Sequence, residues 1–187
     1  MPLPLPRLYN PAHDSPLLPQ LASIHAACIT HDSQLATFLP PLSHPRILAY
    51  WTALAADIPN GSTEVFLQFV NETENEVAGY VCLMMPNTET GPFRGEVNKL
   101  MVSPEHRRKG VARRVMGMLE GYAKGRGRGL LMLDTTVGLP AEQVYPKLGY
   151  TELGVIPKYG TSPVDGTTLV DEKFFYKDLR EVEPLKY

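Results

Sequence analysis

The segment that most restricts the fold is residues 95–135, where an apolar strand, a cationic turn, an amphipathic helix and a second apolar run follow one another. Glu96 to Val102 reads as a strand, with Glu96, Asn98 and Leu100 on one face by simple alternation. Val111, Val115, Met118, Leu119 and Tyr122 make one apolar stripe if residues 111–123 are helical. LLMLDT, residues 130–135, is a continuous apolar run of the kind found in strands buried on both faces. Two strands with a helix between them call for a crossover, so the chain is expected to build an α/β sheet, partly parallel around this helix.

The turn between the first strand and the helix carries Arg107, Arg108, Lys109 and Gly110 in succession. A helix N-terminus has unpaired N–H groups and roughly half a positive charge, which makes it an anion site. In this setting Gly110 lets a ligand approach the backbone, Ala112 stays small, and the cations add charge. A phosphate, and more specifically a pyrophosphate, is the expected ligand. The turn is not a P-loop, because no G-x-x-x-x-G-K-[ST] is present, and no G-x-G-x-x-G marks a dinucleotide fold.

Elsewhere the periodicities predict a short N-terminal strand near Leu5 to Tyr9 and helices over 15–30 and 44–58. Strands are expected over 64–70 and 77–85, with a short helix from about Leu139 to Leu148. Two closing strands fall near 150–156 and 169–177. Gly117 and Gly121 lie inside the main helix at a cost of about 1 kcal/mol each against alanine. Arg126 and Arg128 belong to the glycine-rich turn that ends it. There is no repeat and no clean linker, so residues 1–187 are read as one domain.

The formal net charge of −2 gives no global reason to expect nucleic acid or a membrane surface as partner. No run approaches the roughly 20 apolar residues of a membrane span. The start, MPLPLPRLYN, lacks the apolar stretch of a signal peptide. Cys28 and Cys82 have no metal-ligand spacing and read as buried thiols, which suits a reducing, cytoplasmic compartment. The five histidines show no metal spacing, so no metal is expected.

Two motifs in order give a resemblance. Arg107, Gly110 and Ala112 fill [Q/R]-x-x-G-x-[G/A]; Ala141, Val144, Tyr145, Lys147, Gly149 and Tyr150 fill A-x-x-[LV]-Y-x-K-x-G-[FY]. With "NKLMVSPEHRRKGVARRVM" and "LLMLDT", they resemble the GNAT superfamily of acetyl-CoA-dependent N-acetyltransferases over about 95–157. Within it, "VNKLMV", "AEQVY" and "GVIPKY" look most like the tabtoxin-resistance acetyltransferases, which acetylate small amino-acid-like toxins.

The resemblance implies a mixed, mostly antiparallel central sheet, splayed around a cofactor cleft and flanked by helices. It implies acetyl-CoA as cosubstrate, its pyrophosphate held by the N–H groups of Arg108 to Ala112, Val111 included, with charge from Arg107, Arg108, Lys109 and Arg113. The backbone of Leu100, Met101 and Val102 would pair with the pantetheine amides, and an N–H there would meet the oxyanion. Tyr145 would assist the leaving thiolate. Pro146 beside it lacks an N–H and is expected to bend the last helical turn.

A lysine-like amine has a pKa of about 10.4, so its deprotonation at pH 7 costs roughly 4–5 kcal/mol and calls for a proton acceptor. Glu96 and Asp134 are the sequence candidates, since Lys99 stands where many relatives carry an acid. Phe38, Trp51, Asn98, Lys158 and Tyr159 are candidate substrate contacts. The expected function is acetyl transfer to the amine of a small molecule, in a detoxifying role, by a monomer or homodimer. The alternatives are a protein or peptide N-acetyltransferase and a non-catalytic acetyl-CoA-binding module.

Overall fold

The computed structural model describes residues 3–180. Its strands are β1 (Arg7–Leu8), β2 (Thr63–Phe69), β3 (Val77–Met84), β4 (Arg94–Val102), β5 (Leu130–Thr136), β6 (Thr151–Thr161) and β7 (Leu169–Asp178). The helices are α1 (Leu18–Asp32), α2 (His44–Asp57), α3 (Val111–Gly125) and the single turn α4 (Val144–Lys147). One seven-stranded sheet runs in the order β1-β2-β3-β4-β5-β7-β6. Neighbours are antiparallel except β4 and β5, the parallel pair that α3 connects. This is a mixed α/β sheet flanked by helices, as expected.

Each face of the sheet has its own core. On one, α1 and α2 bring Leu21, Ile29, Ile47 and Trp51 against Val65, Leu67 and Tyr80. On the other, Val115, Met116 and Leu119 of α3 meet Phe66, Leu83, Val97, Leu131 and Leu133, and Tyr145 and Phe175 join them. The alternation of β2 and β3 sends successive side chains to these two cores.

The expectation that β5 is buried on both faces does not hold. Leu131 and Leu133 are buried, whereas Met132 and Asp134 are exposed. On the face shared by Met132 and Asp134 only Thr136 is buried, so most of that face of β5 lines an opening rather than a core. The two sequons are turns: Gly61 ends a 3₁₀ turn, and the Asn71 side chain accepts from the Thr73 N–H at 3.0 Å.

Candidate active site

β4 and β5 stay in register only from Arg94–Leu130 to Glu96–Met132. β4 then bulges. Tyr80 pairs with Met101 and Cys82 with Asn98, so Lys99 and Leu100 together face one residue of β3, and Lys99 takes a φ of 52°. The bulge overturns the simple alternation expected for this strand: Leu100 packs toward the α3 core and Met101 toward the α1–α2 core. It also leaves Val97 to Met101, among the described residues, without register partners on β5. Main-chain groups on that side of β4 are thus presented to a cleft.

The cleft runs toward the start of α3. Gly110 is the N-cap with φ 81°, and the end has no side-chain cap and no acid in its first turn. The first N–H groups of α3 therefore remain available to an anion. A Cβ built on Gly110 would meet no protein atom within 4 Å, so the approach to this backbone is open. Arg108, Lys109 and Arg113 are exposed around it.

Arg107 is differently employed. Its guanidinium makes two bonds of 2.7 Å to the carboxylate of Asp32 at the end of α1, and Nε donates to the Val102 carbonyl at 3.3 Å. It braces the turn rather than adding free charge. Lys109 is also steered: its Nζ lies 3.3 Å from Nδ1 of His106, whose Nε2 lies 2.9 Å from Glu76. An ammonium can only donate, so Nδ1 accepts and Nε2–H donates to the carboxylate. Glu76, Glu105 and His106 bring ligand-type atoms within 4.8 Å of one another, although both ring nitrogens of His106 are already engaged.

A free main-chain edge leading to an uncapped, open and cation-rimmed helix end suits a long ligand with amides and a pyrophosphate. The residues present fit acetyl-CoA.

On the α1–α2 side the cleft widens into a cavity of about 250 Å³. Its roof is Gln34, Leu35 and Ala36, the segment just after α1. His25 anchors the roof: it is fully buried, its Nε2 meets the Ala36 carbonyl at 2.7 Å, and its Nδ1 accepts from Trp51 Nε1 at 3.2 Å. Burial lowers its pKa to about 4, so it is neutral. Gly160 of β6 lies against the roof so closely that a Cβ there would come within 2.4 Å of Leu35 Cδ1.

Charge collects on the walls. Glu96, Asn98 and Lys99 come from β4, Asp134 from β5, Tyr145 from α4, Tyr159 from β6 and Glu172 from β7. Water reaches Asp134 from the mouth, yet crowding by the walls raises its carboxyl above the usual range, and Glu96 adds to the effect. The same loss of hydration lowers the Lys99 ammonium. Tyr145 is packed against Phe175 and Tyr150 and is only 4% exposed. Burial, then the charges of Asp134 and Glu172, raise its phenol. It is a poor acid by full ionisation and a good neutral hydrogen-bond donor.

Pro146 does not distort this arrangement. It lies within the only turn of α4, where N–H groups lack intrahelical acceptors. The Tyr145 carbonyl closes the turn by accepting from Leu148 at 3.0 Å and Tyr150 at 3.1 Å.

The cavity thus gathers Glu96, Asn98, Asp134, Tyr145 and Tyr159. Leu100 and Met101 also line the cavity, and Val102 ends the free stretch of β4 ahead of the turn that leads to Val111 and Ala112 at the start of α3. Phe38 and Trp51 lie elsewhere, in the α1–α2 core beneath the roof, 8% and 0% exposed. Lys158 stands on the exposed face of β6, with its N–H bonded to Asp171 at 2.8 Å. Sequence reasoning missed the roof residues, the side chain of Lys99 and Glu172. An isolated glutamate on a C-terminal strand looks like an ordinary solvated charge, and only strand order brings it beside β5.

Residues 32–150 match the acetyltransferase (GNAT) family. Solved structures with the same fold include an N-acetyltransferase from Staphylococcus aureus (17% identity, 94% of this chain and 98% of that one, TM-score 0.73). Another is a ribosomal-protein-alanine N-acetyltransferase from Brucella melitensis (20% identity, 94% and 100%, TM-score 0.72). A third, from Salmonella typhimurium, was determined with its cofactor acetyl-CoA (19% identity, 95% and 94%, TM-score 0.69). An uncharacterized protein of Mycobacterium leprae is 35% identical over 71 residues, which are 37% of this chain and 19% of that protein. The matched segment thus spans about one fifth of that curated relative's length. A parted β4–β5 pair, an open N-terminus on α3 and a family match across most of the chain agree: the protein belongs to the acetyltransferase (GNAT) family.

Proposed function

We propose that the protein transfers the acetyl group of acetyl-CoA to the amine of a small, amino-acid-like molecule, of the kind that tabtoxin-resistance acetyltransferases modify. The observation that carries this reading is the roofed cavity of about 250 Å³ at the end of the cofactor cleft, with Glu96, Asp134 and Glu172 on its walls. Its size suits a small acceptor, and its carboxyls suit an ammonium. Lys99, which faces the charges of Glu96 and Asp134, gives a counter-ion for an acceptor that also carries a carboxylate.

Acetyl-CoA supplies an activated thioester. The exposed cations and the α3 N–H groups hold its pyrophosphate, and the free edge of β4 aligns its amides. A main-chain N–H near the bulge stabilises the developing oxyanion. Asp134 and Glu96 attract and hold the acceptor's ammonium. Tyr145 donates a hydrogen bond that strengthens as negative charge grows on the departing sulfur.

A second chamber favours some acceptors with an apolar part. It shares Glu96, Asp134 and Tyr159 with the first and continues along Met132 and Phe174. Because the Brucella neighbour acts, by its name, on a ribosomal protein, peptides belong in the test. Acetyl-CoA turnover is to be screened over amino acids, polyamines, amine antibiotics and N-terminal peptides. Saturable acetylation of an amino-acid-like amine is expected; turnover confined to peptides would replace this reading with the protein-directed one.

A further inference from the structure

Glu172 is held in a way that an idle surface glutamate is not. It lies across the sheet from Thr136, whose Oγ1 donates to Glu172 Oε1 at 2.6 Å. The residue is 1% exposed. Its other oxygen, Oε2, is buried and has no hydrogen-bond partner among the described residues, and neither has the buried Oγ1 of Thr135. Both residues line the acceptor cavity. Leaving a buried carboxyl oxygen without a donor is costly, so a donor brought by the acceptor would remove a standing penalty.

Strand pairing puts Glu172 on the same face of the sheet as Asp134. Asp134 and Thr136 are two residues apart on β5 and share a face, and Glu172 faces Thr136 from β7. The other titratable groups around the cavity are Glu96 and Lys99 of β4, Tyr145 of α4 and Tyr159 of β6. Lys173, next along β7, is bound to Glu142 and Glu152.

We propose that Glu172 is the proton acceptor of the reaction: Asp134 holds the acceptor ammonium at the mouth, and Oε2 of Glu172 takes its proton. This rests on reading the cavity as the acceptor site. One N–H bond of R–NH₃⁺ breaks, its electron pair stays on nitrogen, and the proton forms an O–H bond on Glu172. The freed lone pair forms the N–C bond while the C–S bond breaks. A second nitrogen proton balances the thiolate, by way of Tyr145 or water, and Glu172 later returns its proton to solvent.

Energetics favour Glu172 over an exposed acid. Burial first, and the charge of Asp134, raise its carboxyl from 4.5 to about 7, with the Thr136 bond opposing them. The carboxylate is thereby a roughly 300-fold stronger proton acceptor than an ordinary glutamate.

Two measurements test this. In the free protein, carboxyl-carbon NMR should show one glutamate titrating near pH 7 that is absent from Glu172→Gln. With the fastest acceptor from the screen, kcat/KM should have an acid limb near pH 7. Glu172→Gln should abolish that limb and lower the rate at pH 7 by about 10²–10⁴-fold. Asp134→Asn should move the limb to lower pH, because a like charge has gone. The idea is overturned if Glu172→Gln keeps the limb and the rate, or if Asp134→Asn alone abolishes the limb. A wild-type spectrum with no glutamate titrating above pH 6 also overturns it, even if the variant does not fold. If only peptides are acetylated, the small-molecule reading falls while the same profile, measured with that peptide, still decides on Glu172.

Discussion

The two sides of the cleft are made from different materials. The side proposed to hold the cofactor is mostly main chain: the free edge of β4 after its bulge and the open end of α3. It occupies one continuous stretch, 97–113. The side proposed for the acceptor is mostly side chain, drawn from β4, β5, α4, β6, β7 and the roof after α1. A ligand held through backbone needs particular glycines and spacings. A ligand held through side chains needs only that distant strands meet. The first leaves a motif; the second leaves almost none.

After Glu172→Gln, the largest effect should fall where the two sides join. Tyr145→Phe removes one oxygen from a packed ring and should cut kcat by about 10- to 1,000-fold with acetyl-CoA affinity kept. A more acidic thiol as leaving group should narrow the loss; an equal loss across donors would mean that the hydroxyl positions the ligand instead.

On the main-chain side, Gly110→Val should weaken acetyl-CoA binding in calorimetry by at least about tenfold. The new Cβ meets nothing in the protein, so the binding loss reports on ligand approach, while the backbone strain at φ 81°, about 1–2 kcal/mol, is read separately as lost stability. Neutralising Arg108 and Lys109 together should do less, and less still at high salt. Arg107→Ala should lower thermal stability more than affinity, since Asp32 already holds its charge.

On the side-chain side the test is stability against pH. Glu172 has a folded pKa raised from 4.5 to about 7, so the folded state binds the extra proton between these values. Its contribution is full below about pH 4.5 and is lost as pH rises through 7. His25, lowered from 6.5 to about 4, works in the opposite sense over that span. The melting temperature of Glu172→Gln should therefore gain on wild type by a few degrees between pH 5 and pH 8. A constant difference would remove Glu172 from the titrating groups. The smallest effect lies outside the cleft: Gly117→Ala and Gly121→Ala on α3 meet no atom within 4 Å and should each stabilise by about 0.5–1 kcal/mol without touching turnover.

The same contrast explains what could be read from residues alone. Helices and strands were legible because apolar spacing records burial, as in Val111, Val115 and Leu119. The run LLMLDT was not fully legible, because an apolar Met132 facing a cleft has the same letter as one facing a core. Phe38 and Trp51 were candidate substrate contacts, but both large rings are buried in the core beneath the roof. Leu100 changed faces because a bulge, which has no fixed residue signature, shifted the strand by one. Glu172 acquires its character from strand order, with β7 inserted between β5 and β6.

The pair between Arg107 and Asp32 has a mechanical consequence. Asp32 is the last residue of α1, and the roof begins two residues later; Arg107 opens the turn that leads into α3. A two-pronged bond of 2.7 Å at each prong therefore bolts the lid of one chamber to the entrance of the other. A displacement of this turn would therefore act on the end of α1 and, two residues on, on the roof.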